Sequence, residues 1–364
     1  MKKIFYIFVI LISLESYGQG VSDPNTYRNT FKEFKAMLND SIKPSFKRAV
    51  FITENAYMNN SLDYKSFNQT ISFYADLCAK ISRQGNLSYS ESDIDKVKKY
   101  WAVYLLMTDS IPFAIDSSRY FVTKPFRYDF EDFWGEKNWR KMFVTKLLET
   151  NTGNCHSLPF LYKILCEELG VKAWLSMAPN HTYIKLWTKK TGWFNTELTS
   201  GYFPIDAWIM ASGYVHLSAV QNRVFMDTLS LKQSVAVCLT DFAKGFEKKF
   251  ADSDLDFILQ CTDLALQHYP LYTNALILKA ETMKKKFEAK MKAYGAKYPA
   301  DIFNIPEAKK LFDDMEKLYF HIHEIGYRTM PKEMYLAWLA ELNQEREKYT
   351  NTKVINSFKS NDKK

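Results

Sequence analysis

The sequence predicts an α+β fold, in which helices at both ends of the chain flank a helix packed on an antiparallel sheet. Apolar residues recur every three or four positions near both ends, and they alternate in a stretch near the middle. The 364 residues include only 12 glycines but 27 phenylalanines and 23 tyrosines, which favours packed helices over a turn-rich all-β fold. The chain is 47% hydrophobic and 25% charged, which excludes a disordered protein.

The first residues have the layout of a bacterial secretory signal peptide. Two lysines precede an apolar run from Ile4 to Leu14, and the small residues Ser16 and Gly18 suit the positions just before a cleavage site. The run is short for a membrane span, and no later stretch reaches the roughly 18 apolar residues that a span needs. The sequence therefore predicts a signal peptide over 1–18, export to the periplasm or the cell exterior, and no stable membrane span after cleavage. An uncleaved anchor is the alternative.

The segment 24–140 is predicted to be an N-terminal helical region. Helices are expected over Tyr27–Leu38, in the stretch that follows it, and in two later stretches that end near Cys78 and Met107, because apolar residues recur there at helical spacing. The stretch 112–140 contains two prolines and many aromatic residues without periodicity. We interpret it as a packed loop region that is placed to cover a cleft.

The segment 141–230 is predicted to form a separate α+β core. A short helix should end at Asn151, and a second helix should run from Cys155 to Gly170, since glycine suits the residue after a helix. Three runs with alternating apolar residues follow, VKAWLSM, HTYIKLW and WFNTELT. They predict adjacent antiparallel strands, of which the last two are joined by a turn around Lys189–Thr191.

Helices return in the segment 231–349, and a polar tail follows at 350–364. The middle of this segment resembles a tetratricopeptide helix pair, because small residues and a proline allow two helices to cross closely. Pro331 separates two further amphipathic helices. An ordinary helical hairpin is the alternative to a repeat. The residues of the repeat-like pattern are Ala265, Leu266, Pro270, Ala275 and Ala280.

Cys155 is the candidate nucleophile, because it lies in T-G-N-C-H-S at the start of a predicted helix. The N–H groups and partial positive charge of a helix N-terminus favour the thiolate and lower the pKa of a cysteine. A buried, inert cysteine is the alternative.

His181 and Glu197 are the candidate base and acid, and the register of the predicted sheet decides whether they meet. If Trp187 pairs with Trp193 in the sheet, Glu197 lies one diagonal step from His181. If the register is shifted by two residues, His181 and Glu197 are direct neighbours, whereas a shift by one residue places them on opposite faces of the sheet.

A thiolate, an imidazole and a carboxylate in this relation suit nucleophilic attack on a carbonyl carbon. The motifs G-N-C-H-S, E-E-L-G-V, N-H-T-Y-I-K-L and G-W-F-N-T-E-L-T together resemble the core of transglutaminase-like proteins. The resemblance implies a papain-like core and a catalytic triad of Cys155, His181 and Glu197, with glutamate where aspartate is usual. Asn195 shares a strand face with Glu197 and is a second candidate for orienting the imidazole. Many bacterial members also carry tetratricopeptide helices behind this core.

The sequence gives no reason to expect a cofactor or a metal ion. Six histidines lack chelating spacing, since His321 and His323 would diverge on a helix. His156, next to the nucleophile, is expected to line the cleft rather than act as the base. The net charge of +8 is spread thinly along the chain, which argues against a nucleic-acid partner. The remaining cysteines are expected in the core: Cys78, Cys166, Cys238 and Cys261.

These observations predict an exported thiol enzyme that acts on amide bonds of a protein or peptide through an acyl-enzyme at Cys155. Hydrolysis, as by a protease or amidase, is favoured over transfer to an amine, because water is abundant outside the cell. The alternative is a non-catalytic module that binds a peptide in this cleft while the tetratricopeptide-like helices hold a protein partner. A structural protein of the cell envelope is a third interpretation, based only on export and repeats.

Overall fold

The structure is a computed structural model and describes residues 23–251, 254–331, 333–335, 337, 340, 344 and 346–359. The predicted signal peptide at 1–18 lies outside the described residues. Helices dominate the described residues and small sheets accompany them, so the fold is α+β in the broad sense.

The α-helices among the described residues are α1 (Pro24–Leu38), α2 (Phe46–Tyr57), α3 (Tyr64–Gln84), α4 (Ile94–Thr108), α5 (Val144–Thr150), α6 (Ser157–Glu168), α7 (Asp206–Ser212), α8 (Leu217–Gln221), α9 (Leu231–Phe250), α10 (Leu255–His268), α11 (Thr273–Ala293), α12 (Pro306–Glu324), α13 (Arg346–Tyr349) and α14 (Thr352–Phe358). Several of them lie where apolar spacing predicts them, whereas α3 extends past the predicted end near Cys78, and α7, α8 and α14 were not predicted. Short 3₁₀ turns cover Trp139–Met142 and Pro299–Ile302.

The strands are short, and the longest of them follow α6 directly. They are β1 (Pro112–Ala114), β2 (Tyr120–Val122), β3 (Arg127–Tyr128), β4 (Thr152–Gly153), β5 (Trp174–Ala178), β6 (His181–Thr188) and β7 (Gly192–Thr196). Strands β5, β6 and β7 form an antiparallel sheet in that order, as predicted, and Trp187 pairs with Trp193. Strands β1 and β2 form a hairpin in the stretch that was expected to be a loop region, whereas β3 pairs with β4 in parallel.

The chain divides into two compact units. One unit contains residues 63–213 together with the described residues from 330 onwards, and the other contains residues 23–62 and 214–329. The predicted boundaries at 140/141 and 230/231 do not coincide with this division, because the N-terminal helices separate into α1 and α2 in one unit and α3 and α4 in the other. The helices on the two sides of Pro331 likewise belong to different units.

In the first unit, α6 lies between helices and the sheet. Helices α3 and α4 pack on one side of α6, and strands β5 and β6 pack on the other. Every residue of α6 from Ser157 to Cys166 is buried. Asp63 fixes the start of α3 by accepting hydrogen bonds from the backbone N–H groups of Lys65 and Ser66. A helix covered on both sides cannot shift easily, so the turn at its N-terminus is held in place.

The second unit consists of helices that pack around α9. Helices α1, α2 and α10 all contact α9, whose start carries a capping box between Ser230 and Gln233. The predicted helix pair is present as α10 and α11, with Ala265 and Ala275 fully buried where the helices meet. The pair is thus observed as a helical hairpin.

The predicted polar tail contains helix α14, in which Val354 and Ser357 are buried. Phe358 at the end of this helix contacts Phe203 and Phe194 of the same unit through its ring. This part of the tail therefore packs as an ordered helix, because its few apolar residues find an aromatic surface in the first unit.

Candidate active site

Cys155 lies in a turn just before α6, whereas the sequence predicts that it is the first residue of the helix. Asn151 ends α5 in the left-handed conformation, with a φ of 54°. Asn154 then fixes the turn before the next helix, because its Oδ1 accepts hydrogen bonds from the backbone N–H groups of His156 and Ser157, both at 3.0 Å. The helix begins at Ser157, so Cys155 lies in the turn two residues before its N-terminus.

Gly153 gives this turn the room it needs. A Cβ at this position would come within 2.5 Å of Ser157 Oγ and 2.8 Å of a methyl carbon of Leu147. Ser157 cannot move away freely, because its hydroxyl accepts a hydrogen bond from the backbone N–H of Asn154 at 3.1 Å. The glycine in the T-G-N-C motif is therefore required by close packing around the turn that carries Cys155.

His181 and Glu197 come together as the sequence predicted. His181 is the first residue of β6 and follows Asn180, which is in the left-handed conformation with a φ of 56°. The pairing of Trp187 with Trp193 brings the end of β7 alongside the start of β6. Glu197 follows β7, and its Oε2 lies 2.5 Å from His181 Nε2. Its Oε1 accepts a hydrogen bond from the backbone N–H of Thr199 at 2.8 Å, which fixes the carboxylate.

Glu197, and not Asn195, is the residue that orients the imidazole. The side-chain amide of Asn195 donates hydrogen bonds to the carbonyl oxygen of Pro204 at 2.9 Å and to Asp206 Oδ1 at 2.8 Å. Lys185 Nζ lies 3.2 Å from the same carboxylate oxygen of Asp206. The amide of Asn195 thus belongs to a separate polar cluster.

The thiol of Cys155 and the imidazole of His181 favour each other's charged forms. Burial alone opposes the Cys155 thiolate, but the hydrogen bond and the positive charge of His181 outweigh it and lower the pKa of the thiol. Burial also opposes the imidazolium, but the charge of Glu197 and the hydrogen bond with Cys155 raise the pKa of His181 to about 10. The same partners lower the pKa of Glu197 despite its burial. These shifts favour a thiolate–imidazolium pair next to a carboxylate.

His156 does not join this arrangement. Its Nδ1 lies 2.9 Å from the carbonyl oxygen of Met142, and its ring packs against Phe160 with 3.9 Å between centroids. These contacts hold the imidazole of His156 beside the turn, against the start of α6, where it is not placed to act as the base, as predicted.

Tyr335 covers Cys155 and was not among the residues that the sequence predicts for the site. Its hydroxyl donates a hydrogen bond to Cys155 Sγ at 3.2 Å, and its side chain is fully buried. Cys155 itself is only 6% exposed, and His181 only 4%. Phe133 and Trp134, from the stretch predicted to cover a cleft, pack on the ring of Tyr335. Nothing in the local pattern around Tyr335 points to Cys155, because the two residues are far apart in the sequence and the pattern there is that of an amphipathic helix.

Comparison of the chain with protein-family models, with curated proteins and with solved structures gives no match. Among the described residues, no group of three or more histidine, cysteine, aspartate or glutamate side chains is placed to hold a metal ion. Within the same part of the chain, no helix combines the length and the apolar content that crossing a membrane requires.

Proposed function

We propose that the chain is a transglutaminase-like thiol enzyme with a papain-like core, which acts on amide bonds of a protein or peptide. The observation that supports this proposal most strongly is the buried row of Cys155, His181 and Glu197, in which the pKa of the thiol is lowered and that of the imidazole is raised. Strongly shifted pKa values with specific charged partners are typical of catalytic sites. Cys78 and Cys166, buried elsewhere in the same unit, have raised pKa values instead.

The chemistry would proceed through a thioester at Cys155. The thiolate attacks the carbonyl carbon of an amide, and the backbone N–H of Cys155 donates a hydrogen bond to the oxyanion. The C–N bond then breaks as His181 gives its proton to the leaving amine. Because Nε2 of His181 is engaged with Glu197, the proton passes through Nδ1. Water, or an amine, next attacks the thioester carbon and gives a proton to the now neutral His181. The C–S bond then breaks, the acyl group leaves as an acid or a new amide, and the thiolate and imidazolium are restored.

Hydrolysis is the favoured outcome within this proposal. The expected signal peptide would place the protein in the periplasm or outside the cell, where water is the abundant acceptor. The helical hairpin of α10 and α11 offers a surface on which a protein partner or a protein substrate could dock. No nucleic acid enters this proposal, because the modest positive charge is spread along the chain.

The test is to trap the acyl-enzyme. The full chain is incubated with p-nitrophenyl acetate, and peptide mass mapping then locates the acetyl group. We expect an acetyl group on Cys155 that hydroxylamine removes, in the wild type and more abundantly in Tyr335→Ala. His181→Ala should suppress it, and Cys166→Ala should leave it unchanged. Absence of this thioester in the folded Tyr335→Ala variant would contradict the proposal.

A second candidate function is peptide binding without turnover. The observation that favours it is the burial of Cys155 beneath Tyr335, since a covered thiol cannot attack a substrate. In that case Tyr335→Ala would increase the affinity of the cleft for peptides, while Cys155→Ala would leave that affinity unchanged and no thioester would form.

A further inference from the structure

Tyr335 occupies the place that a reacting group would need. An attacking atom and its target must approach to about 3–3.5 Å before they react. The hydroxyl oxygen of Tyr335 already lies 3.2 Å from Cys155 Sγ. The ring of Tyr335 and a substrate carbonyl therefore exclude each other, and the ring has to leave before the thiol can react.

The space that this ring fills is built for an aromatic group. Phe133 stacks on Tyr335 with 5.2 Å between centroids and 24° between the planes, and Trp134 packs at 5.5 Å. The ring of His181 lies 6.4 Å away on the inner side. At the inner end, the hydroxyl of Tyr128 lies 3.4 Å from that of Tyr335. Aromatic walls and a hydroxyl at the inner end select a flat ring, and most of all a phenol.

The stretch of chain that carries this ring is itself held by a hydrogen bond to its backbone. Asn180 Nδ2 donates a hydrogen bond to the carbonyl oxygen of Met330 at 3.3 Å. The carbonyl oxygen of Asn180 lies 3.7 Å from Cys155 Sγ. Met330 and Tyr335 are buried, so the stretch is anchored through these two residues. The described residues between them are exposed, namely Pro331, Glu333 and Met334.

We propose that the space filled by Tyr335 is an aromatic subsite for the substrate, and that the substrate is a peptide with a tyrosine side chain close to the bond attacked. Such a peptide displaces Tyr335, packs its own ring against Phe133 and Trp134, and brings its carbonyl carbon to Cys155. This proposal rests on the proposed thiol chemistry and adds the class of substrate to it. The protein's own C-terminal stretch then acts as an occupant that resembles the substrate.

The test compares two alkylating probes on the full chain, the chloromethyl ketones of N-acetyl-tyrosine and N-acetyl-alanine. In the reaction the thiolate forms a C–S bond and chloride leaves. Each rate at Cys155 is divided by the rate of the same probe with free N-acetylcysteine. In Tyr335→Ala, we expect the tyrosine probe to react faster than the alanine probe by about tenfold or more, the usual value of filling an apolar subsite. Both probes should react slowly with the wild type.

Met334→Ala is the matched control, because Met334 is exposed beside Tyr335 and should behave as the wild type. Circular dichroism establishes that each variant is folded. If Tyr335→Ala does not fold, Tyr335→Leu vacates part of the same space and the same ratio is measured. A corrected ratio near one, with a thiol that reacts rapidly, overturns the aromatic subsite alone. A thiol that is slow towards both probes and indifferent to His181→Ala overturns the proposed thiol chemistry instead.

Discussion

Cys155 lies in the turn just before α6, whereas Cys166 lies inside α6, and both are buried. Their thiols nevertheless differ in charge preference, because the pKa of Cys155 is lowered whereas that of Cys166 is raised well above its usual value. Burial opposes the thiolate in both places. The difference comes from His181, whose hydrogen bond and positive charge favour the thiolate of Cys155. At Cys166 the neighbouring Cys78 opposes the thiolate further, and the charge of Lys163 does not offset burial. Burial raises the pKa of a cysteine, and the contact with His181 reverses that result at Cys155, whereas the charge of Lys163 does not do so at Cys166.

The largest expected effect comes from removing this partner. In the Tyr335→Ala background, which opens the thiol, His181→Ala should lower the rate of Cys155 alkylation by iodoacetamide at pH 6.5 about a hundredfold or more, since each unit of pKa changes the thiolate fraction about tenfold. The chain with His181 should react well below the usual thiol pKa of about 8.5, and the variant only near or above it.

Cys166 supplies the internal reference for this measurement. It should be labelled only after denaturation, whether or not His181 is present, because its thiol is fully buried. His156→Ala is the matched control, since this imidazole is held by Met142 and Phe160. An equal loss of Cys155 reactivity in His156→Ala would show that a general disturbance of the turn, and not the loss of the ion pair, had lowered the rate.

The second prediction sharpens the comparison through stability. Glu197→Gln removes the charge that holds His181 protonated, and we expect a loss of about 1–3 kcal/mol in the free energy of unfolding at pH 6. The pKa of His181 is raised in the folded chain to about 10. The contribution of protonated His181 to the free energy of unfolding is therefore complete below about pH 6.5, the pKa of histidine in the unfolded chain, and it declines as the pH rises towards 10.

Urea unfolding of both proteins at pH 6 and at pH 10 checks this prediction. The difference in stability between the wild type and Glu197→Gln should be larger at pH 6. Asp206→Asn is the matched control, because Asp206 pairs with Lys185 and Asn195 in the neighbouring cluster and does not contact His181. A difference that is independent of pH would mean that Glu197 acts only as a hydrogen-bond acceptor.

The residues that surround Cys155 divide into those that the sequence predicts and those that it does not. Alternating apolar residues predict β5, β6 and β7, and the pairing of Trp187 with Trp193 then brings His181 and Glu197 together. This inference succeeds because an antiparallel hairpin is a local structure, in which the turn sets the register. The sequence also predicts that a helix begins at Cys155, and α6 begins two residues later at Ser157.

Tyr335 and the division into two units were not predicted. Both depend on packing between segments that are distant in the sequence, such as the hydrogen bond between Tyr335 and Cys155. Helical periodicity shows that a helix has an apolar face but not which surface buries that face. Periodicity therefore predicts one helical domain over 231–349, although the described residues from 330 onwards belong to the unit that contains Cys155.

The smallest expected effect concerns the loss of each sulfur. Cys166→Ala removes a sulfur from a closely packed apolar site, and we expect it to lower the free energy of unfolding by about 1–2 kcal/mol. Cys155→Ala should cost less than half as much, because the folded chain no longer has to bury a charged thiolate. Chemical denaturation of both variants at pH 7 measures the two values. If Cys155→Ala proved the more destabilising change, the thiolate–imidazolium pair would be a net source of stability, and Cys155 would differ from Cys166 in what it contributes to the fold as well as in its reactivity.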